Sequence, residues 1–415
     1  MDTTRILELA SRIQQRTADI DEYLRRNGLP TPSFDEDGPG DLGLSGDAVT
    51  AREDVLGATL ELHNLLLGPS LCLRPVYNAM PLQAIYRYDI ARHVPIHGEI
   101  AFGELAAKCG LDEINLRRTL RFAMVYHHVF QEPRKGYVAH TVASRKLVDD
   151  PNTRAGVGYM FDEVWQGFAH TLPALHQHQS DEPGKTGWSH YHNTDMPPWQ
   201  YYATHPDMAR RFAGAMSSFA NGHGNLPAHL VQGYPWDKVG SGTVVDVGGS
   251  KGNVSTLLAQ HYHNLKFIVQ DLPNMIQGVA ETLPADVRDR IEFQAHDFFT
   301  TQPVQADVYL FRNIFHNWSD SHSIRILQAL VPALRPGTRI VVNDYLLPEP
   351  GTMSLVKERA VRDMDLIMLT LFNAREREEA DWIELFRQAD PRFADVRIWT
   401  PDGAAMAIIE AVWKA

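Results

Sequence analysis

The carboxyl-terminal part of the chain predicts an α/β fold, a doubly wound and mostly parallel sheet, behind a mostly α-helical amino-terminal part. From Gly242 onward, apolar strand candidates at 243–247, 267–270, 291–293, 307–311 and 339–343 alternate with helical stretches such as 253–262 and 321–334, the pattern of βαβ units. The first strand, Thr243-Val244-Val245-Asp246-Val247, breaks into Gly248-Gly249-Ser250-Lys251-Gly252, as a buried strand does when it turns into a helix. The last two runs, Phe393–Trp399 and Met406–Val412, flank Pro401-Asp402-Gly403 and read as a hairpin.

The glycines mark a candidate cofactor site. Gly248, Gly249 and Gly252 allow unusual φ values and let a ligand approach the main chain. Asp271 follows the strand Phe267-Ile268-Val269-Gln270, about 20 residues beyond the glycines, where an acid suits a ribose diol. An adenosine ligand is therefore expected. A dinucleotide site needs G-x-G-x-x-G so that a pyrophosphate can rest on the helix N-terminus, and this frame does not match. With Asp246 the loop instead resembles the D-x-G-x-x-x-G loop of class I S-adenosylmethionine-dependent methyltransferases, whose Rossmann-like fold ends in a hairpin.

Composition narrows the class. Of 415 residues, 44% are hydrophobic and 22% charged, as in an ordinary globular protein with length for two or three domains. A formal net charge of -12 argues against a nucleic-acid partner, because phosphates are bound by basic clusters. No run reaches the apolar length of a membrane span. The start, Met1-Asp2-Thr3-Thr4-Arg5, lacks the apolar core of a signal peptide, so a cytoplasmic location is expected. Cys72 and Cys109 are the only cysteines, too few for a disulfide framework or a cysteine-rich zinc site.

Residues Ile6 to Leu24 have near-helical apolar spacing, and Pro30 to Asp47 read as an exposed or mobile linker. A second helix, Ala48 to Leu67, carries Val55-Leu56, Leu60, Leu62 and Leu65-Leu66-Leu67, a broad apolar face to be buried in this chain or against a second copy. Between Glu99 and Leu147, a helix, a turn at Cys109-Gly110, a second helix from Asp112, and a hairpin-like pair at Val129-Phe130 and Tyr137-Val138-Ala139 give a winged-helix layout. Arg117, Arg118 and Arg121 could touch phosphates there, but the acidic chain favours a solvated face. In the mostly helical stretch Val157 to Tyr234, His176, His178, His190 and His192 form two H-x-H pairs, which share a face if extended. No Asp, Glu or Cys spacing completes a metal set, and no metal is expected.

The chemistry is concentrated after the fourth strand, in Phe311-Arg312-Asn313-Ile314-Phe315-His316-Asn317-Trp318-Ser319-Asp320. Ligands of open α/β sheets bind at the carboxyl ends of the strands, which puts His316 near the cofactor. A neutral imidazole there can take the proton of a phenol, of which only about one molecule in a thousand is ionised at pH 7. Asp344, ending the fifth strand, and Glu376, in the polar turn Asn373-Ala374-Arg375-Glu376-Arg377, are the carboxylates available to orient that base.

Together these residues resemble the plant caffeic-acid-type small-molecule O-methyltransferases and their fungal relatives that act on polyketide phenols, over about residues 100 to 415. The family's D-V-G-G-G-x-G loop is matched by Asp246 to Gly252, its D-L-P by Asp271-Leu272-Pro273, and its G-D-M-F by His296-Asp297-Phe298-Phe299. The base motif H-D-W-S-D is matched by His316 to Asp320, and G-K-E-R by Ala374 to Arg377. The resemblance implies S-adenosylmethionine contacts at Asp246, Gly248, Gly249, Gly252, Asp271, Leu272, Asp297, Phe298 and Arg312, the last where a lysine is usual. It implies a homodimer whose winged-helix domain dimerises, and a substrate pocket near Phe212 and Met216, with Trp188, Asn317, His127 and His128 as further candidates. Ser250 replaces a loop glycine, Asn317 an aspartate, and Asp344 a longer glutamate.

The expected organisation is an N-terminal helix and linker (1–47), a winged-helix-like dimerisation domain (48–155), a helical connector contributing to the substrate pocket (156–235) and a cofactor-binding methyltransferase domain (236–415). The expected activity is methylation of a phenolic hydroxyl of a secondary metabolite, with His316 as base. The alternative on the same scaffold is a pericyclase or dehydratase that keeps S-adenosylmethionine as a fixed charge; a winged-helix transcription regulator would need the basic surface that the composition lacks.

Overall fold

The computed structural model describes residues 4–74, 78–220, 222 and 224–415; Met1 to Thr3, part of the start read above, lie outside them. The chain divides into two units, one of Met1–Ala169, Trp199–Phe219 and Met353–Lys357, the other of His170–Pro198, Ala220–Thr352 and Glu358–Ala415. The stretch 156–235, expected as a single connector, is thus shared between them.

In the first unit the helices Arg5–Arg26 and Asp47–Leu67 pack through the small buried residues Ala48, Ala51 and Ala58. Arg5 reaches Glu61 at 2.7 Å and Arg16 reaches Asp54 at 3.0 Å. Leu56, Leu65 and Leu66 stay exposed in the single chain. The segment after the first helix is tied down rather than loose. Phe34 stacks on His128 at 4.1 Å, and Glu36 accepts from His97 N–H and from Arg145.

The helix, turn and second helix expected between Glu99 and Leu147 are present, with a different strand pairing from the one expected. Gly110, at φ +67°, ends the helix Phe102–Cys109, and Asp112 caps the helix Glu113–His127 by accepting from Asn115 N–H at 2.9 Å, as these residue types do at such positions. Strand β1 (Glu99–Ala101) pairs antiparallel with β2 (Tyr137–Ala139). Val129-Phe130 is not the partner strand, and only Gln131 bridges Ala139. His128 at φ +52° and Phe130 at φ +66° turn the chain too sharply for extended pairing. Arg121 is occupied by both carboxylate oxygens of Glu132, and Arg117 by Glu113.

A π-helical turn, Met160–Val164, follows the helix Pro151–Tyr159. It presents the fully buried Glu163 to Tyr202 Oη at 2.5 Å and to Arg211 Nη2 at 2.7 Å. His176 and His178 lie on the helix Trp165–His178, not on an extended segment, so a two-residue spacing sends them to different faces. Among the described residues no group of three or more His, Cys, Asp or Glu is placed to hold a metal ion.

The second unit is built on a seven-stranded sheet in the order β5-β4-β3-β6-β7-β9-β8, with β3 at Thr243–Val247, β4 at Lys266–Asp271, β5 at Ile291–Ala295, β6 at Val308–Arg312, β7 at Arg339–Asp344, β8 at Phe393–Trp399 and β9 at Ala407–Trp413. The first five are parallel, and β9 runs antiparallel to both β7 and β8, so the strands and closing hairpin fall where the alternation predicts. Successive residues point to opposite faces of the sheet. Val245, Phe311 and Val342 pack with Ile326 and Trp382 on one face; Val244, Leu310 and Val341 pack with Leu258 and Trp236 on the other. Helices on both faces force near-continuous apolar strands. The order reverses between β3 and β6, which opens a crevice at the carboxyl edge.

Arg211→Met would leave Glu163 buried without its cation. A loss of about 3–5 kcal/mol in urea unfolding is the expected result; a change below about 1 kcal/mol would show that the pair does not hold the helix Pro206–Ala220 in place.

Candidate active site

The carboxyl edge of β3 makes the first half of the site. Gly248 N–H and Gly249 N–H both donate to Gln270 O, at 2.7 and 3.2 Å, which folds the loop against β4. A Cβ on Gly249 would lie 2.6 Å from Asp246 Cγ and 2.8 Å from Val269, so no side chain fits there. Ser250, at φ +52°, occupies a left-handed conformation that costs a non-glycine residue about 1 kcal/mol, offset by its N–H donating to Asp271 Oδ2 at 2.8 Å. Leu272 N–H donates to the other carboxylate oxygen at 2.7 Å. Burial pushes the Asp271 carboxyl up, opposed by these two donors. Asp246 is buried, accepts from Ser255 Oγ at 2.7 Å, and is pushed up to about 6 by burial.

These residues fit an adenosine-bearing cofactor. Asp271 offers an acceptor-only carboxylate held beside the glycine turn, as a ribose diol requires. Leu272 and Met275 expose apolar side chains next to it; His296 N–H donates to Asp271 O at 3.0 Å, which brings up the partly buried Phe298 and Asp297, whose carboxylate accepts from Phe299 N–H at 3.0 Å. Arg312 behaves differently from a simple ligand contact. Its Nε donates to Asn343 Oδ1 at 3.0 Å and its Nη2 to Asn225 O at 2.5 Å. Burial lowers its pKa, while the carboxylates of Asp246 and Asp344 oppose that.

The carboxyl edges of β6 and β7 make the second half. After β6, Asn313 at φ +55° turns the chain into a short 3-10 helix, Phe315–Asn317. His316 is buried there, and its Nδ1 lies 3.0 Å from Glu376 Oε1. A carboxylate can only accept, so Nδ1 carries the proton and Nε2 is the basic nitrogen. No described residue hydrogen-bonds to Nε2. Burial alone would lower the imidazole pKa; the charge and hydrogen bond of Glu376, helped by Asp344, outweigh it and leave it raised. Asp344 meets the backbone rather than the ring: its Oδ2 accepts from His316 N–H at 3.3 Å, and burial pushes its carboxyl up to about 6. An aspartate is one methylene shorter than a glutamate, and at the end of β7 it reaches the main chain of the His316 loop.

Arg377 is the residue that the sequence reading passed over. Its side chain is buried, donating to Phe315 O at 3.0 Å, Trp318 O at 2.9 Å and Ser323 Oγ at 3.0 Å, and pairing with Asp320 at 2.9 Å. It therefore holds both ends of the turn that carries His316. The only signal was the basic residue closing the Ala374–Arg377 motif. Glu376 is fixed on its own side by Asp365, which accepts its N–H at 2.8 Å.

The remaining candidates are dispersed. Asn317 spends its side-chain amide on Asn313 O at 2.9 Å, closing the His316 loop. Trp188 is fully buried and packs on His192 at 4.2 Å. Phe212 and Met216 lie on the helix Pro206–Ala220 of the first unit, with Phe212 against Tyr159 at 5.5 Å and Tyr202 at 5.1 Å. His127 ends the helix Glu113–His127 and His128 stacks on Phe34, also in the first unit.

Residues 173–391, just over half of the chain, match the model of the O-methyltransferase domain family. The chain belongs to this family. The O-methyltransferase is 51% identical over 425 residues to O-methyltransferase pyvH of Aspergillus violaceofuscus (strain CBS 115571), covering 100% of both chains. It is 39% identical to a chlorophenol O-methyltransferase of Trichoderma longibrachiatum, covering 99% of this chain and 90% of the other. Among solved structures, OxaC in complex with SAH and oxaline shares the fold, with a TM-score of 0.74 and 23% identity over 98% of this chain and 100% of that one. The O-methyltransferase takes S-adenosylmethionine as its cofactor.

Two substitutions test this geometry. Gly249→Ala is expected to weaken S-adenosylhomocysteine binding by tenfold or more in calorimetry, because its Cβ would displace Asp246 or Val269; unchanged affinity would contradict the loop geometry. Arg377→Met is expected to cost roughly 3 kcal/mol or more in chemical denaturation, the cost of stripping partners from a buried cation's network.

Proposed function

We propose that this enzyme methylates a phenolic hydroxyl of an aromatic, polyketide-type secondary metabolite, with His316 as general base and Glu376 as the carboxylate that orients it. The observation that carries this reading is the buried 3.0 Å contact between His316 Nδ1 and Glu376, which leaves Nε2 as a base with no partner among the described residues. A phenol with a pKa near 10 is a poor nucleophile at neutral pH until a base takes its proton. Bound S-adenosylmethionine supplies a methyl group on a positively charged sulfur, open to in-line attack by a phenolate. His316 Nε2 removes the phenol proton, Glu376 stabilises the imidazolium that results, and Asp344 and Arg377 keep the base loop in place from the backbone side. The relative named as a chlorophenol O-methyltransferase supports a phenolic substrate.

In this reading Asp271 takes the ribose, with Leu272, Asp297 and Phe298 beside the adenine, and Gly248, Gly249 and Gly252 admit the amino-acid end of the cofactor. Phe212 and Met216, with Trp188, Asn317, His127 and His128, are the proposed substrate surroundings. A homodimer formed by the N-terminal domain is supported by the exposed Leu56, Leu65 and Leu66, an apolar face that a second copy would cover. No described helix is long and apolar enough to cross a membrane, in keeping with a cytoplasmic enzyme.

Incubation with S-adenosylmethionine and a panel of phenols is expected to give a mass gain of one methyl with matching release of S-adenosylhomocysteine. Product that is rearranged or dehydrated without S-adenosylhomocysteine would contradict methyl transfer. His316→Ala should lose about 10²- to 10⁴-fold in kcat. Because an imidazolium cannot accept a proton and the His316 pKa is raised, kcat/KM should rise with pH through a value above the ordinary histidine range. Glu376→Gln removes the charge that raises it, so the acidic limb should move to lower pH while the maximum rate falls. A limb that stays in place would separate Glu376 from the base.

A further inference from the structure

A short segment with no part in the site described so far touches the Glu376 turn and the helix that follows the His316 loop. Lys185 N–H donates to Glu182 O at 3.0 Å, closing the turn Glu182-Pro183-Gly184-Lys185. The turn is tightly seated, since a Cβ on Gly184 would lie 2.0 Å from Asp195 O. Asn373 Nδ2 donates one hydrogen to Glu182 O and the other to Lys185 O, each at 2.8 Å. Ser321 Oγ donates to the Asp181 carboxylate at 2.6 Å. Asn373 stands three residues before Glu376, and Ser321, five residues after His316, lies in the first turn of the helix Asp320–Leu330, so the segment Asp181–Lys185 straps the Glu376 turn to the helix that follows the His316 loop.

Asn373 does two jobs at once. At φ +52° it ends the helix Leu355–Phe372 in the left-handed conformation, which glycine and asparagine adopt most readily. Its side-chain amide then spends both hydrogens on the strap. Glycine could do the first job and not the second.

We propose that Asn373 is a positioning residue for methyl transfer: by anchoring the Glu376 turn on the strap Asp181–Lys185, it holds the Glu376 carboxylate in register with His316 Nδ1. This rests on the reading of His316 as the base. The charged groups acting on the imidazole are Glu376, Asp344 and Arg377, and the Tyr345 ring lies 6.3 Å from it. None belongs to the strap, so the strap acts through geometry alone.

The test uses the full-length protein with isotope-labelled histidine, following the His316 ring signal by NMR against pH and assigning it by its loss in His316→Gln. In Asn373→Gly the helix end is preserved and the anchor removed. The expected result is a titration midpoint moved down toward the ordinary histidine value, with kcat on a phenol roughly tenfold lower and the KM for S-adenosylmethionine unchanged. A midpoint equal to wild type, whatever the change in Tm, would overturn the proposal. Should Asn373→Gly not fold, Ser319→Ala together with Ser321→Ala removes both hydroxyls that hydrogen-bond the Asp181 carboxylate and leaves the Asn373 helix end intact; the same downward movement is expected, and its absence is equally decisive. If the midpoint moves while wild type methylates no phenol, the positioning role stands and the reading of His316 as a phenol base falls.

Discussion

The second unit depends on placing ionisable groups at the dry edge of a sheet without leaving their charge uncompensated. His316, Asp344 and Glu376 are all buried, and an isolated charge in such surroundings is costly. The arrangement meets that cost by sharing. The imidazole proton is held by Glu376, the Asp344 carboxylate accepts the backbone N–H of His316, and Arg377 threads its guanidinium between two backbone carbonyls of the same loop and Asp320. One cation thereby fixes the path of the chain through the base, and one carboxylate fixes its tautomer. Asp344 Oδ1 and Glu376 Oε2 remain buried without a hydrogen-bond partner among the described residues.

The same compensation links the two halves of the site. Arg312, at the end of β6, lies in the field of Asp246 below the glycine loop and of Asp344 beside the base. Its guanidinium is bound to Asn343 and Asn225. In the family a lysine is usual at this place. A planar guanidinium can satisfy several fixed acceptors at once where an ammonium acts as a point charge, and here it ties the end of β6 to Asn343 of β7 and to Asn225. The glycine loop needs the opposite property, absence of side chain, because Asp246 and Val269 already fill the space a Cβ would take.

Much of this was legible in the sequence, and the reason is local. Strand ends, glycines and a capping Asp112 are signals written within a few residues, so the five parallel strands, the terminal hairpin, the glycine turn and the placing of Asp271 follow from pattern alone. The His316–Glu376 contact joins residues sixty apart; the sequence left Asp344 and Glu376 as alternative partners for the imidazole, since no spacing rule says which loop meets the ring. Arg377 and Asn373 were passed over for the same reason: a guanidinium's partners and an amide's acceptors are set by tertiary packing. Val129-Phe130 failed as a strand because His128 and Phe130 take positive φ values that apolar patterning does not report. His176 and His178 share a face only in an extended chain, and here the chain is helical.

The central claim is that His316 removes the phenol proton, and the most direct measurement compares substrates by acidity. At fixed pH, kcat for wild type and His316→Ala is measured on a series of phenols from polychlorinated ones, largely ionised at neutral pH, to unsubstituted ones with a pKa near 10. The account predicts that His316→Ala loses most on the weakly acidic phenols and progressively less as the phenol ionises by itself. An equal loss across the series would contradict it and make His316 a structural residue of the loop.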